Sequence, residues 1–496
     1  MRVTPAMDDE RHAQGVHPVR TEPDHKNGLA PASRMSRAVP LVIASALFME
    51  FLDSTIVATA LPAMALDLGV AAPTLSVSIT VYLVSLSVLI PASGWVADKF
   101  GARRVLVCAL LVFLIGSIAC GASSSLAGLI AGRALQGMAG ALMMPVGRLI
   151  ILRSVPKHEL MSAWAWLTMP ALIGPMLGPP LGGLIVTHAS WRWIFWVNIP
   201  IGIAGAIAAM LLLPNVKEER VPPFDARGFI LCAISVSSGV FALETAGQTV
   251  LPAWICLSLA AISASTLVLY LRHARRIPEP IIDISLFSLA TFRVSAVGGS
   301  IFRIAVGATP FLLPLQLQLG FGQSALQSGL TTFVGAMGAM AVKPVAVPLV
   351  NRFGFRRLLT VNAVAATVLM GLFAVITRDT PQVLIMALLF CAGYLRSLEF
   401  TSLAAISYAD VERERMSQAT TLSSMMQQIS MSLGVAIAAG LVHLLPAMRG
   451  ANEIGAPDFS IAMAVVAILA GSSALVFAKL PKDAGASVLS KPPGKT

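Results

Sequence analysis

Long apolar runs dominate this chain, and each is broken by a short polar stretch rather than by alternation of apolar and polar residues. A helix that crosses a bilayer needs roughly 20 apolar residues. That length predicts fourteen spans, at 38–62, 75–97, 104–122, 126–151, 161–187, 194–214, 229–247, 251–271, 294–318, 325–350, 357–377, 382–408, 419–446 and 458–478. They fall into groups of six, two and six. The polar stretch PNVKEERVPPFDARG (214–228) and the basic link RHARRIPEPIIDISLFSLATFR (272–293) separate the groups. The predicted organisation is a tail over 1–37, a first group over 38–214, a linker with two extra spans over 215–293, a second group over 294–479 and a tail over 480–496. Residues 1–37 mix Pro, His and charges of both signs without an apolar period, which predicts disorder. The run from Ala38 is too long for the core of a signal peptide, so none is expected.

Composition narrows the class. Hydrophobic residues make up 56% and charged ones 12%, against roughly 25% charged in a soluble domain. Too little polar surface is left to coat a globule, so the fold class is all-α integral membrane protein. The net charge of +11 does not point to nucleic acid, because the basic residues lie between apolar runs. With the N-terminus in the cytoplasm, 27 of the 35 Lys and Arg fall on the inner side, three outside and five within spans. That asymmetry predicts both termini cytoplasmic and an even number of spans.

The stretch GWVADKFGARR, Gly94 to Arg104, then lies on the cytoplasmic side. A weaker copy follows at VNRFGFRR: Lys99, Phe100, Gly101, Arg103 and Arg104 match Arg352, Phe353, Gly354, Arg356 and Arg357. A duplicated basic loop suggests two related membrane halves. Asp98 is matched by Asn351, so only the first copy keeps an acid able to pair across a gap between helices. The loop is either a gate, with Gly94, Asp98, Gly101, Arg103 and Arg104 as its parts, or a pair of basic topology anchors.

Charges inside spans are costly and usually functional. Glu50 and Asp53 share one face of span 1. Asp53 lies roughly 13 Å, and Arg133 of span 4 roughly 10 Å, from the outer ends of their helices at about 1.5 Å per residue, so the two can meet. Burial raises a carboxyl pKa and a nearby cation lowers it. Asp53 and Glu50 are therefore candidates for proton coupling, with Asp53 as the carrier and Arg133 tuning it; the alternative is a fixed buried ion pair. Gln136 is the other polar residue of span 4. Arg148, near the inner end, is expected to snorkel. In the second group, Arg396 and Glu399 are spaced to pair. Arg303 and Lys343 have no acid in their own spans. They either attract an anionic substrate or pair with acids such as Glu399 or Glu244.

Span 5 places Gly174, Gly178 and Gly182 on one face, which permits close helix approach. Pro175, Pro179 and Pro180 bend the same helix. The face suits either a rocking interface or static packing. The seven His do not cluster, and the five Cys lie in apolar runs without a CxxC. No metal, cofactor, nucleotide-cradling or catalytic motif is present, which argues against an enzyme. The buried charges argue against a passive scaffold.

Four stretches, taken in order, resemble signatures of the major facilitator superfamily and of its fourteen-span drug:proton antiporter family: LDSTIVATALP, GWVADKFGARR, RALQGMAGALMMPVGR and GPMLGPPLGG. WRWIFWVNIPIG (191–202) is similar to that family's entry to the sixth span. The resemblance implies two six-helix bundles plus two extra helices, alternating access, and proton-driven export of varied drugs across a bacterial inner membrane. It also implies Arg133 as a functional residue of span 4. The partners expected are a small-molecule substrate, protons and lipid, with the chain acting as a monomer. Ala58 stands where the first signature usually has Asn. Glu50, Arg303 and Lys343 are not general features of the family. They leave open a second substrate class, a small organic anion or a metal–carboxylate complex such as iron citrate.

Overall fold

The computed structural model describes residues 32–70, 75–218, 221, 223–246, 252–323, 325–450 and 455–486. Among them there is no strand. Sixteen α-helices follow in order: α1 (Ala32–Leu68), α2 (Ser76–Leu89), α3 (Ser93–Phe100), α4 (Ala102–Gly121), α5 (Leu126–Ser154), α6 (Leu160–His188), α7 (Trp193–Trp196), α8 (Asn198–Leu212), α9 (Ala226–Ala246), α10 (Ala253–Ala274), α11 (Ala290–Leu315), α12 (Ala325–Ala341), α13 (Lys343–Val375), α14 (Gln382–Ile406), α15 (Met416–Met448) and α16 (Ala456–Phe477). Twelve helical segments among the described residues are long and apolar enough to cross a membrane. The two expected spans outside that set are 161–187, carried by α6, and 325–350, carried by α12 and the start of α13.

The two basic loops break their helices in the same way. Gly101 (φ 92°) separates α3 from α4, and Gly354 (φ 70°) interrupts α13 between the expected spans 325–350 and 357–377. Both sit at positive φ, where a side chain is strained, so the sequence repeat is also a backbone repeat. The first helix starts at Ala32 rather than at residue 38. The rest of the expected N-terminal tail, 1–31, and residues 487–496 lie outside the described residues.

Packing follows the small-residue faces. The helix α6 lies along α1. A Cβ at Gly174 would come within 2.9 Å of the Phe48 carbonyl, and one at Gly178 within 2.1 Å of Thr55 Oγ1. Gly182 is buried too. This glycine face therefore seats α6 on α1. The side chains of Pro175 and Pro179 lie outside the described residues. The helix α4 packs between α5 and α8, and α2 lies on α5. Later in the chain α11 packs on α15 and α16, α13 on α16 and α14, and α12 on α14. The pair α9 and α10 pack on each other, and α9 also touches α2 and α15.

Two linker segments brace the loop side. Asp225 holds them together: it accepts from the Gly228 and Ile281 amides and meets His273 Nε2 at 2.8 Å. Arg415 then ties the second segment to the start of α15 through Asp283 (2.5 Å) and Ser285 (2.6 Å).

Candidate functional site

Asp53 is fully buried on α1, with an exposure of 0%. Arg133 Nη1 on α5 donates to its Oδ2 at 2.5 Å. Gln136 Nε2, one turn on, donates to Oδ1 at 3.1 Å, and Asn198 Nδ2 at the start of α8 donates to the same atom at 2.9 Å. Gln136 also donates to Ser117 Oγ on α4 (2.8 Å) and accepts from Arg133 (2.9 Å). Arg133 Nε reaches the Ser78 carbonyl at 3.4 Å, and its guanidinium lies 4.3 Å over the Tyr82 ring. Five helices thus contribute to one network, and two of them, α5 and α8, donate directly to the carboxylate. Removing two charges from water costs several kcal/mol per ion, and only good geometry with further hydrogen bonds repays it. Here both carboxylate oxygens have donors, and the cation has three partners.

Asp53, Arg133 and Gln136, expected from the sequence, come together here. Asn198 and Ser117 do not stand out in the sequence. Asn198 falls in WRWIFWVNIPIG, just before Pro200, where a polar residue reads as a helix start; its identity as an amide inside an apolar group was the available signal.

Glu50, one turn from Asp53, leaves this network. It is buried, and its Oε2 has no hydrogen-bond partner. It opens on a cavity of about 130 Å³ shared by α1, α2, α5 and α15, with Ser54, Tyr82, Met144 and Gln427 on its wall. Gly140 keeps the corner open: a Cβ there would lie 3.2 Å from Tyr82 Oη and 3.4 Å from Glu50 Oε1. Tyr82 thus lines the Glu50 cavity and also packs its ring against Arg133.

The loop residues divide into two functions. Asp98 Oδ1 pairs with Arg153 at 2.8 Å, and Glu218 from the following linker pairs with the same Arg153 at 2.9 Å. Asp98 thus binds within α1–α8 and not across a gap. The linker is clipped on further by Ala102 N to the Val216 carbonyl (2.9 Å) and by Arg103 Nη1 to the Leu213 carbonyl (3.2 Å). Gly101 leaves room for Asn215, whose Oδ1 would be 2.6 Å from a Cβ. Arg104 is exposed. Gly94 makes the crossing contact: a Cβ there would lie 2.8 Å from both the Ser417 carbonyl and Thr421 Oγ1 on α15. Ser93 Oγ meets Thr421 Oγ1 at 3.2 Å beside it.

Further side-chain hydrogen bonds join α1–α8 to α11–α16, among them Arg148 to Gln427 (2.8 Å), Lys157 to the Ala409 carbonyl (3.0 Å) and Lys343 to Thr168 (2.5 Å). All lie toward the side of the basic loops. At the opposite ends the ion pairs stay within their own group, as Asp67 with Arg192 and Arg449 with Asp458 do. Donation from Trp191 and then Arg192 holds the Asp67 carboxyl below the usual range.

The later cations behave differently. Lys343, 6% exposed, donates to Thr168 and to Thr401 Oγ1 (2.9 Å), both neutral. Arg303 lies 6.0 Å over the Phe400 ring. Two expectations are corrected. Arg148 does not snorkel, because α15 packs against α5 and brings Gln427 within reach. Glu399 does not pair with Arg396, because Asn362 Nδ2 on α13 takes its carboxylate at 2.6 Å. The side chain of Glu244 lies outside the described residues.

The profile of the Major Facilitator Superfamily matches residues 43–435. A provisionally named multidrug resistance protein, MdtD, of Citrobacter koseri is 37% identical over 444 residues, spanning 89% of this chain and 94% of its own. Its counterpart in Escherichia coli K12 gives the same identity over the same shares. Two solved structures have the same fold. The proton:xylose symporter XylE superposes with a TM-score of 0.65 at 12% identity, covering 92% of this chain and 98% of that one. The human organic anion transporter MFSD10 superposes at 0.63 with 15% identity, covering 90% and 100%. At these identities both speak for the fold alone.

Proposed function

The chain belongs to the major facilitator superfamily, a family of multi-pass membrane transporters of small molecules, and we propose that this member is a proton-coupled antiporter exporting drug-like molecules across a bacterial inner membrane. The observation that carries the reading is the buried Asp53 with a full set of donors and one matched cation. When Asp53 takes a proton, Arg133 loses its counter-charge, and the donors from α5 and α8 lose the anion they converge on. The fit of α1 against α5 and α8 then loosens. Release of the proton restores it. A group whose charge state decides how helices fit is what proton coupling requires.

The same reading takes α1–α8 and α11–α16 as two six-span halves that rock about the loop-side contacts, with fourteen spans in all and both termini cytoplasmic. On this view the contacts at Gly94, Ser93, Arg148 and Lys157 close the cytoplasmic side and leave the far side free to open. Glu50, with an unpartnered oxygen on a cavity between the halves, is the anchor for a cationic substrate. The name of the MdtD relatives favours varied drugs. A second reading, export of a small organic anion or of a metal–carboxylate complex such as iron citrate, is favoured by Lys343, held by two hydroxyls, and by Arg303, which stacks on Phe400 with no acid beside it.

The test is proton release from proteoliposomes carrying the purified protein under an imposed pH gradient. One arm receives a cationic dye and the other citrate, with and without iron. The expected response is to the dye. A response only to the anion moves the substrate site to Arg303 and Lys343 and removes the drug label. Silence in both arms, with transport of either compound still detected, removes proton coupling.

A further inference from the structure

A cavity of about 270 Å³ lies within the later helices, walled by α11, α12, α13, α14 and α16. It is separate from the Glu50 cavity, and neither reading of the transport site uses it. Its walls are apolar almost throughout, with Phe302, Leu313, Met370, Phe373 and Leu389 among them. One charged side chain, Arg396, lines it. Arg396 has no ion pair or hydrogen bond among the described residues, because Glu399, the acid spaced to neutralise it, is turned to Asn362.

The cavity has a direction. On α14 its wall runs from Leu389 to Arg396, about 10 Å along the axis, and on α11 from Phe302 to Pro314, about 18 Å at 1.5 Å per residue. Arg396 stands at the loop-side end of that length, level with Phe302 and Ala366, and the far end holds Leu313, Phe373 and Leu389. A guanidinium at membrane depth without an acid is unfavourable until an anion meets it. A slender apolar slot accepts a hydrocarbon chain and rejects a polyanion, whose remaining charges would meet no donors.

We infer that this cavity binds an amphipathic monoanion, with its carboxylate or phosphate on Arg396 and its hydrocarbon body lying along α11 and α14. A free long-chain acid and an anionic lipid share that chemistry. The cavity shares no lining residue with the Glu50 cavity, so the assignment stands or falls independently of what is exported.

The test uses the whole protein in phosphatidylcholine nanodiscs and a diazirine-bearing dodecanoic acid as photoprobe, with labelled residues mapped by mass spectrometry. Labelling is expected on wall residues of 302–314 and 389–396, displaced by dodecanoate and not by dodecanol or dodecyltrimethylammonium. Loss of a charge-assisted contact in Arg396→Gln should weaken displacement roughly tenfold. Arg396→Lys should restore most of it, and Ala366→Phe should block the slot. Repeating the experiment in phosphatidylglycerol nanodiscs identifies the source: reduced labelling means a lipid occupant, and unchanged labelling means a free acid. Labelling confined to lipid-facing positions such as Val361 and Val368, equal displacement by dodecanol, or displacement by chloride alone would overturn the assignment.

Discussion

In α1–α8 the deepest charges sit together: Asp53 and Arg133 share one buried network with Gln136, Asn198 and Ser117. In α11–α16 the deep cations Lys343, Arg303 and Arg396 have no acid, and the one deep acid there, Glu399, is held by an amide. In the first arrangement the acid and the cation satisfy each other. In the second the cations meet only neutral or cationic neighbours, and the acid meets an amide. On the proposed reading the first is the region a proton would change.

Removing single partners should separate the two regions. The largest effect belongs to Arg133→Leu, which strands the Asp53 carboxylate. Breaking a buried pair from one side costs about 3–5 kcal/mol, so the thermal unfolding midpoint in detergent should fall sharply and transport should cease. Asn198→Ala removes one of Asp53's donors and leaves the ion pair. A loss of about 1 kcal/mol is expected, with proton release slowed but present. An Asn198→Ala protein with unchanged kinetics would take Asn198 out of the network's work. Lys343→Met sits at the other extreme. It removes a cation held by two hydroxyls, and an apolar replacement of similar volume is neutral or stabilising. Its unfolding midpoint should hold or rise, while any anion export should fall. A Lys343→Met protein as unstable as Arg133→Leu would erase the distinction between the regions.

The sequence carried the parts of this contrast that depend on depth along a helix. Asp53 and Arg133 lie at matching distances from the ends of their spans, and they meet. Gly101 and Gly354 occupy matching places in a repeat, and both adopt positive φ. Contacts set by neighbouring helices were not legible. Glu399 is one turn from Arg396, but it takes its partner from α13. Arg148 is near a span end, yet it turns to Gln427 on α15. Asn198 looks like a helix start until α1 and α4 are packed against it. The expected span 325–350 does not run through as one helix, since α12 ends at Ala341 and Lys343 opens the next, where its ammonium meets α6 and α14.

The central claim is that Asp53 carries the coupling proton, and Asp53→Asn tests it most directly, since an amide keeps the shape and much of the hydrogen bonding. In proteoliposomes the variant should still bind substrate and exchange it across the membrane. Substrate-driven proton release, followed with a pH-sensitive dye, should vanish. Proton release at the normal rate from Asp53→Asn would contradict the account and leave Asp53 and Arg133 as a fixed ion pair.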